Sequence, residues 1–411
     1  MNLKRYRMVF WVLGLLSAVA LFQDVLANGR PLYCRIDGKT YFPGLRTIFF
    51  DKALRYSEPA LQRMNDLPQP FEAWKNEDNY DEPPIFAPIP FSPGEFSHAN
   101  MEPLSAPGRV HTGLSSRFVH WLGTDGEGRD VAAALVSGTR IALMVGIFSM
   151  VVSGMIGLLI GALAGFWGDN QLRTSLTTLI FTVVGIFFAF FYSVIARRYA
   201  LETAESVTQW VTSGGIFTGV MLGFVGLGKL VGKVLPSRKV TIPVDLILMR
   251  FTEIFNAIPK LIFIIIIAAL LPAHQNLWVM IVLIGLLSWT DLALFIRAEL
   301  LRVRELDYVT AARGLGISNL RIFLRHALPN ALRPALVIVT FNVAGAILLE
   351  TSLTFIGFGA GKLNGISWGS LLNSVKDNPS AWWIALPSGL AIALTIMTIN
   401  KMGELLSDTK R

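Results

Sequence analysis

The apolar residues of this chain are gathered into long uninterrupted runs, which shorter polar stretches separate. Each run covers roughly 20 to 28 positions, long enough for a helix to cross the hydrocarbon core of a bilayer, about 30 Å thick. A segment inside lipid must satisfy its own backbone hydrogen bonds, so helices are predicted for all of them. The eight predicted spans are 8–27, 141–167, 174–196, 210–235, 244–271, 277–300, 335–358 and 382–402. The pattern predicts an all-α polytopic membrane protein.

Composition supports this prediction and removes other classes of protein. Of the 411 residues, 53% are hydrophobic and 16% are charged, whereas an ordinary soluble domain has about 25% charged residues. These values exclude a soluble enzyme, a disordered chain and a collagen-like fibre. A net charge of +8 would suggest nucleic acid for a soluble chain, but in a membrane protein basic residues mark the loops kept in the cytoplasm. We expect the lipid bilayer, and no nucleic acid, as a partner.

The basic residues of the short loops predict the orientation. They cluster before the first span, after the fourth, between the sixth and seventh, and at the end of the chain, all on one side if every segment crosses. The loop 272–276 on the other side has no charge. Because the positive side is cytoplasmic, both termini are expected inside the cell, in a bacterial inner membrane. Arg197 and Arg198 fall on the outer side and conflict with the rule.

Residues 1–27 contain the first predicted span and also fit a second interpretation. Basic residues, about fifteen apolar residues and Val25-Leu26-Ala27 are typical of a cleavable signal peptide as well. Under either interpretation the chain from residue 28 onward emerges outside.

The segment 28–136 is expected to form an extracytoplasmic lobe. It holds 12 of the 20 prolines, which favour extended and turn structure over long helices. At roughly 110 residues it is too long for a mere connection. A flexible linker is the alternative, against which the aromatic residues argue. These are Tyr41, Phe42, Phe49, Phe50, Trp74 and Phe86.

Two predicted spans carry glycines at four-residue spacing. One stripe is Gly157, Gly161 and Gly165, and the other is Gly215, Gly219 and Gly223. Such a stripe allows a neighbouring backbone to approach closely. The alternative is that glycine is simply common in membrane helices.

Motifs for enzyme chemistry are missing from the sequence. None of the five histidines has metal-ligand spacing, and there is no G-x-S-x-G nucleophile elbow. The stretch 223–229 fits G-x-x-x-x-G-K, but Leu230 stands where Ser or Thr must hold magnesium. We therefore expect no catalytic residue, no metal site and no cofactor in this chain.

The loop 304–330, between the sixth and seventh predicted spans, has the pattern of two short amphipathic helices joined at Gly316. The first apolar face comprises Tyr308, Ala311, Ala312 and Leu315, and the second comprises Leu320, Phe323, Leu324 and Ala327. Ser318 is the predicted N-cap of the second helix and Pro329 its predicted end. The pair fits a groove on another protein, or alternatively lies on anionic lipid headgroups.

The spacing in this loop resembles the E-A-A-x3-G-x9-I-x-L-P motif of ABC importer permeases. The matching residues are Ala311, Ala312, Gly316, Leu328 and Pro329. Thr310 stands where the family has Glu, and His326 where it has Ile. In that family the loop docks into a groove of the ATP-binding subunit, so the resemblance implies this role for 304–330. Thr310 lacks the carboxylate that could pair with a basic group on that partner.

Other segments resemble the second permease of dipeptide and oligopeptide importers. Residues 121–130 resemble its LGTD-x2-GRD segment, 350–359 its EASLSFLGLG element and 367–369 its SWG element. The matches to LGTD-x2-GRD include Gly123, Thr124, Asp125, Gly128, Arg129 and Asp130. Arg250, Glu253 and Pro259 follow its R-x2-[DE]-x5-P pattern. The start of the chain is similar to the branch that includes microcin C and oligopeptide permeases.

The resemblance implies a six-span type I importer permease core, made of spans 1–27 and 137–168 and the segment 244–411. Relatives join the second and third of these spans by a few residues, whereas here 169–243 intervenes with two further apolar runs. We expect a two-span insertion, by default a lipid-facing appendage. Two added crossings preserve the side of everything downstream.

The resemblance also implies partners: a second permease subunit, two ATP-binding subunits that hold the ATP, and an extracytoplasmic solute-binding protein. It implies import of peptides or peptide-like compounds. A membrane-anchored enzyme or receptor with an external domain is the alternative function.

Two sets of charged residues invite a role. Asp125, Arg129, Asp130 and Arg140 lie just outside the second span and are expected to form local ion pairs that fix the lobe, with direct substrate contact as the alternative. Asp291 has no partner within its own span, where an unpaired charge is costly. The hypothesis for Asp291 is a place in the translocation path.

Overall fold

The computed structural model describes residues 3–45, 58–67, 70–97, 100, 102–168, 173–202, 207–235, 238–270, 276–359 and 365–408. Within these ranges six helical segments are long and apolar enough to cross a membrane. They are Val131–Trp167, Leu176–Ile195, Thr208–Val234, Leu277–Arg304, Asn319–Ile356 and Trp382–Ser407. The expected all-α polytopic architecture is confirmed.

Helices dominate the chain order. They are α1 (Leu3–Leu21), α2 (Gln23–Leu26), α3 (Pro59–Asp66), α4 (Pro70–Lys75), α5 (Val131–Ala162), α6 (Leu176–Phe190), α7 (Arg198–Glu202), α8 (Val207–Val234), α9 (Val244–Ala257), α10 (Lys260–Leu270), α11 (Leu277–Arg304), α12 (Asp307–Gly314), α13 (Asn319–Ile322), α14 (Leu328–Ile356), α15 (Trp368–Ser374) and α16 (Trp382–Asp408). Helices α5, α6 and α13 each continue into a π-helical turn, at Leu163–Trp167, Phe191–Ile195 and Phe323–Ala327 respectively.

The strands are short and form three antiparallel pairs. They are β1 (Cys34–Ile36) with β2 (Lys39–Tyr41), β3 (Arg109–Val110) with β4 (Val119–His120), and β5 (Arg173–Ser175) with β6 (Lys239–Thr241). The chain divides into two compact units, one of residues 1–161 with 253–411 and the other of 162–252.

The first predicted span, 8–27, is shorter in the structure than in the sequence pattern. Helix α1 ends at Leu21, and α2 follows after a break at Phe22. The reason is a polar anchor, because the Arg140 guanidinium donates to the Ala20 carbonyl at 2.9 Å and pairs with the Asp24 carboxylate at 2.9 Å. The end of this segment is thereby attached to α5.

The fifth predicted span, 244–271, is not one helix. It consists of α9 and α10, which Ile258 and Pro259 separate. Proline lacks a backbone N–H, and its ring clashes with the carbonyl four residues earlier, so a helix ends before it. The chain resumes helical bonding at once, as the Phe263 N–H donates to the Pro259 carbonyl at 3.1 Å.

The second span begins earlier than predicted. The sequence placed the boundary between lobe and span at 136, whereas α5 starts at Val131. The Asp130 carboxylate accepts the Ala133 N–H at 2.7 Å, and such a bond satisfies one of the free donors of a helix N-terminus. A carboxylate cap therefore sets the start of α5.

The lobe is packed in the residues that the structure describes. One buried cluster joins the β1–β2 hairpin to α3 and α4 through Cys34, Leu61 and Trp74. A second cluster, including Phe91 and Phe118, reaches Ala133 on α5. These contacts favour the packed lobe over the flexible linker. Phe49 and Phe50 lie outside the described residues. Burial raises the pKa of the Cys34 thiol to about 12, so this cysteine stays protonated.

Helix α11 is the centre of the membrane bundle. Its apolar window is 67% buried inside the chain, against 33% or less for the other five spans. The first glycine stripe explains the close packing, because a Cβ at Gly157 would lie 2.8 Å from the Trp289 carbonyl oxygen and one at Gly161 2.6 Å from that of Ala293. The glycine stripe of α5 therefore allows the backbone of α11 to approach closely, as the sequence predicted.

The second unit is a helical hairpin closed at its base. Helices α6 and α8 pack through Gly185, where a Cβ would lie 2.6 Å from Phe224, and through Gly228, at 2.8 Å from Phe181. The β5–β6 pair brings Arg173 opposite Thr241. The predicted stripe at 215, 219 and 223 takes no part, since no atom of the described residues lies within 4 Å of a Cβ added there.

The two stripes provide a matched test of packing. Gly161→Val should destabilise the purified subunit by about 1–3 kcal/mol, because the added side chain overlaps the fixed backbone of α11. Gly215→Val should leave stability unchanged or slightly raised, since its surroundings are open and glycine is a poor helix former. Thermal unfolding in detergent measures both. Equal midpoints for the two variants would contradict the close approach at Gly161.

Candidate functional site

The sequence segments at the lobe end of the bundle come together in space. The Trp368 indole N–H donates to the Leu135 carbonyl at 3.0 Å, and the Ile366 N–H donates to the Ser137 hydroxyl at 3.3 Å. A Cβ at Gly138 would lie 2.2 Å from the Trp368 ring. The short helix α15 is therefore held against the first turns of α5.

Helix α14 holds α15 from the other side. The Glu350 side chain is buried and accepts bonds from the hydroxyls of Thr354, at 3.2 Å, and Thr351, at 3.4 Å. It also forms a side-chain hydrogen bond with Ser367, the N-cap of α15. One carboxyl group thus joins the end of α14 to the start of α15, inside a part of the bundle that excludes water.

The loop 123–130 is organised around the Asp125 carboxylate. It accepts the backbone N–H groups of Glu127 and Arg129 at 2.9 and 3.0 Å, and the Arg129 Nε–H at 2.7 Å. Gly123 has a φ of +72°, and a Cβ there would lie 2.3 Å from a lobe carbonyl. Trp383 of α16 donates to the Thr124 carbonyl at 3.2 Å. The loop is therefore bonded both within itself and to the membrane bundle.

A buried chain of polar side chains extends from Asp130 into the lobe. His120 Nδ1 lies 2.8 Å from the Asp130 carboxylate, and His120 Nε2 lies 3.1 Å from His111 Nδ1. With the Asp130 carboxylate as acceptor of the Nδ1–H, His120 Nε2 is placed to accept the Nδ1–H of His111. Burial, then the nearby His120, lowers the pKa of His111. The cluster is therefore uncharged at the His111 end at neutral pH.

Lys75 lies in the same part of the lobe with its side chain fully buried. Its ammonium lies 3.7 Å from the centre of the Phe71 ring and 3.4 Å from the Glu95 carboxylate. Burial lowers the pKa of Lys75, and the Glu95 carboxylate opposes that shift. Among the described residues, no three His, Cys, Asp or Glu side chains are arranged to hold a metal ion.

Of the four residues expected to form local ion pairs, only Asp125 and Arg129 pair with each other. Asp130 instead bonds to His120, and Arg140 pairs with Asp24. Sequence reasoning missed these two partners because no recognisable spacing links His120 to Asp130, and because Asp24 lies 116 residues before Arg140. Each carboxylate is engaged by groups of the chain itself, which favours attachment of the lobe over direct substrate contact.

At the opposite end of the bundle, Gly316 ends α12 in a defined turn. Its φ is +75°, its N–H donates to the Arg313 carbonyl at 2.9 Å, and the Ile317 N–H donates to the Ala312 carbonyl at 3.2 Å. This is the Schellman arrangement, in which glycine supplies the left-handed residue. The positive φ of this turn therefore explains why Gly316, which matches the glycine of the family motif, is a glycine.

The loop buries different residues from those that the helical spacing predicted. Val309 and Ile322 are fully buried and anchor α12 and α13 to the bundle. Of the eight residues on the two predicted faces, only Ala312, Phe323 and Ala327 are buried. The faces are short and tilted, so the large side chains turn outward. Those exposed are Tyr308, Leu315, Leu320 and Leu324, with Leu315 at 81%.

Pro329 does not end the second helix of this loop. The helix continues through it, from Asn319 to Ile356, with Pro329 in the first turn of α14. The π turn before it widens the helix, and the Leu328 N–H bonds to the carbonyl of Phe323, five residues earlier. Such a turn accommodates a proline that lacks a donor. Ser318 flanks the helix as predicted, although its side chain makes no capping bond.

The remaining matched residues lie on the exposed side of the loop. Thr310 and Ala311 are exposed, as is Pro329, while Leu328 is half-buried. Tyr308 and Asn330 fix α12 to α14 through a bond of 3.0 Å between the Asn330 amide and the Tyr308 hydroxyl. The His326 ring lies beside Tyr308, with 6.5 Å between ring centres.

Asp291 has a partner that its own span does not contain. Its carboxylate lies 2.5 Å from the Lys260 ammonium, at the first residue of α10. The pair bridges α10 and α11. A lysine directly after the proline that breaks an apolar run was the available sequence signal.

Asp125 and Glu127 both pair with Arg129, and they allow a matched prediction. Asp125→Ala should cost about 3 kcal/mol of stability, because it leaves a buried guanidinium and two N–H groups without their acceptor. Glu127→Ala should cost less than about 1 kcal/mol, since its carboxylate is exposed and screened. The side chains are 1% and 42% exposed. Thermal unfolding of the two variants in detergent gives the comparison, and similar losses would rule out a central role for Asp125.

Comparison with the sequences of known proteins matches this chain to one family. Residues 215–408 match the family described as "Binding-protein-dependent transport system inner membrane component". The inner membrane ABC transporter permease protein YejE of Escherichia coli is 29% identical over 402 residues, which cover 97% of this chain and 90% of that protein. A putative peptide permease protein of Brucella suis is 30% identical over 293 residues, covering 70% of this chain and 72% of the relative.

A further relative matches nearly the whole chain. The peptidoglycan transport system permease protein YejE of Agrobacterium fabrum is 26% identical over 417 residues, covering 97% of this chain and 87% of its own length. The matched lengths of the two YejE proteins include the lobe, the segment 123–130, the loop 304–330 and the apolar helices. The chain therefore belongs to the family of inner membrane components of binding-protein-dependent transport systems, as a multi-pass permease subunit of an ABC importer.

Proposed function

We propose that this subunit imports peptides or peptide-like compounds across the bacterial inner membrane. It pairs with a second permease subunit and two ATP-binding subunits, and an extracytoplasmic binding protein delivers the substrate. The relatives support the substrate class, since their names describe peptide and peptidoglycan transport. Selectivity among such compounds rests largely with the binding protein.

The observation that carries this proposal is the exposed apolar surface of the loop 304–330. Leu315, Leu320 and Leu324 point outward although α13 and α14 offer a large apolar bundle beside them. Apolar side chains on a short helix pair are typical of a surface that enters a groove. The proposed partner for this surface is the ATP-binding subunit. Thr310 has no carboxylate, so it cannot make the charged contact that a glutamate would make.

One continuous helix links this surface to the lobe end. Asn319–Ile356 has 38 residues, or about 57 Å at 1.5 Å per residue. It starts beside Gly316 and ends just past Glu350, which bonds to α15 through Ser367. Closure of the ATP-binding subunits would tilt this helix as a rod and displace α15 at the other end. Rocking of this kind exchanges inward-open and outward-open states.

ATP and its hydrolysis belong to the partner subunits in this proposal, and the chain needs no cofactor or metal ion of its own. The loop, the long helix and α15 form a transmission path, which a membrane-anchored enzyme or receptor would not require. Both termini and the loop 304–330 lie in the cytoplasm, and the lobe lies outside. The basic residues Arg321 and Arg325, exposed on the loop, support that orientation.

Gly316 provides a test of the coupling role. Gly316→Val forces a β-branched residue into the left-handed region, at a cost of roughly 1–2 kcal/mol, and should distort the turn between α12 and α13. The variant should remain in the membrane but co-purify with less ATP-binding subunit and lose substrate-stimulated ATP hydrolysis. Gly316→Asn is the matched control, because Asn tolerates this conformation and no atom lies within 4 Å of the added Cβ. Normal assembly and stimulated turnover with Val would refute the coupling role.

Reporter fusions test the orientation. A reporter fused after Lys239 should report the cytoplasm, and one fused after Glu205 should report the outside, because α8 separates the two positions. Both reporters on the same side would remove the two crossings of the insertion.

A further inference from the structure

The ion pair between Lys260 and Asp291 joins α10 to α11 about halfway along α11. Asp291 follows the first residue of α11 by 14 positions and precedes its last by 13, about 20 Å from either end. The hydrocarbon core is about 30 Å thick, so a residue this far from both ends of α11 lies inside the core when the helix crosses it. The lysine and aspartate side chains are nevertheless 32% and 47% exposed in this chain.

Lipid cannot be what covers this exposed side. A charged side chain at the centre of a bilayer is costly, and such residues face the bundle interior or water. The backbone supports the same conclusion, since Pro259 interrupts the helix at this depth. Interrupted backbone at membrane depth is tolerated where it lines a cavity or is covered by protein.

A small cavity lies directly beside the pair. It measures 60 Å³ and is lined by Lys260 together with Phe255, Ile258, Phe263 and Leu287. The lining is almost entirely apolar, and Lys260 is its one charged residue. A charged pair, a broken helix and a cavity therefore occur together between two apolar helices of a transport subunit.

We propose that Lys260 and Asp291 form a substrate-contacting site in the translocation path, where they bind the carboxylate and ammonium groups of a zwitterionic peptide. The inference rests on the proposed import of peptides. The resting pair is neutral as a whole. When a zwitterion arrives, the two side chains separate, Lys260 pairs with its carboxylate and Asp291 with its ammonium, and each charge exchanges one partner for another. A path lined only by apolar side chains would offer the two peptide charges no partner.

The test uses the complete importer with its binding protein in proteoliposomes. Three forms of one tripeptide are compared: free, N-acetylated and C-amidated. For each peptide, the transport rate of a variant complex is divided by the rate of the wild-type complex. The selectivity of the binding protein cancels in this ratio. Lys401→Met is the matched control, as Lys401 pairs with Glu404 near the end of α16.

We expect a crossed pattern. Lys260→Met should lower transport of the free peptide about tenfold and that of the C-amidated peptide much less, because the ammonium of this peptide still pairs with Asp291. Asp291→Asn should likewise lower transport of the free peptide and affect the N-acetylated peptide much less, because the carboxylate of that peptide still pairs with Lys260. Lys401→Met should leave all three ratios near one.

Other outcomes separate the two proposals. Equal losses for all three peptides would mean that the pair only joins α10 to α11, and would overturn the inference while leaving peptide import intact. The tripeptide is one that the binding protein binds, so no transport of any of its three forms by the wild-type complex would overturn peptide import itself. If a single variant fails to assemble, the neutral double variant Lys260→Met with Asp291→Asn replaces it. That double variant should lose the dependence on peptide charge, and retention of the wild-type ratios would refute the site.

Discussion

The low polarity of the bilayer is the constraint on which the rest of this structure depends. Each polar group inside it needs a partner from the chain or from water. Glu350 finds one in the hydroxyls around it and in Ser367. Asp291 finds one across the bundle in Lys260. These polar contacts link separate helices. Because an unpaired polar group in lipid is costly, the contacts also fix how α10, α14 and α15 pack against their neighbours.

The two ends of the bundle differ in how completely their polar groups are used. At the lobe end, the carboxylates of Asp125 and Asp130 bind side chains and backbone N–H groups of the chain itself. At the other end, Leu315 and its neighbours leave apolar surface uncovered. An end whose carboxylates are bound by the chain itself suits a fixed support, and an end with uncovered apolar surface suits a docking partner. This difference agrees with the proposal that movement is transmitted from the loop 304–330 toward α15.

Sequence patterning predicted much of this fold because runs of apolar residues have few structural options in lipid. Six of the eight expected segments are long apolar helices. The other two deviate where a local feature competes with hydropathy, at Pro259 in one case and at the Asp24–Arg140 pair in the other. Gly316 was assigned from its motif, and its positive φ supplies the physical reason. The contacts of Arg140 with Asp24 and of Trp368 with Leu135 join segments far apart in sequence, and neither periodicity nor spacing contains that information.

The inserted segment 169–243 contributes two apolar helices that pack on each other. Its first and last strands pair, with Arg173 opposite Thr241 and Ser175 opposite Lys239. The chain therefore leaves the inserted segment next to where it entered, and α6 and α8 pack on each other through their own glycines. A hairpin that satisfies its own contacts places few demands on the surrounding core. If α6 and α8 both cross the membrane, as the sequence predicts, α11 and α14 keep the direction that they have in a core without the insertion.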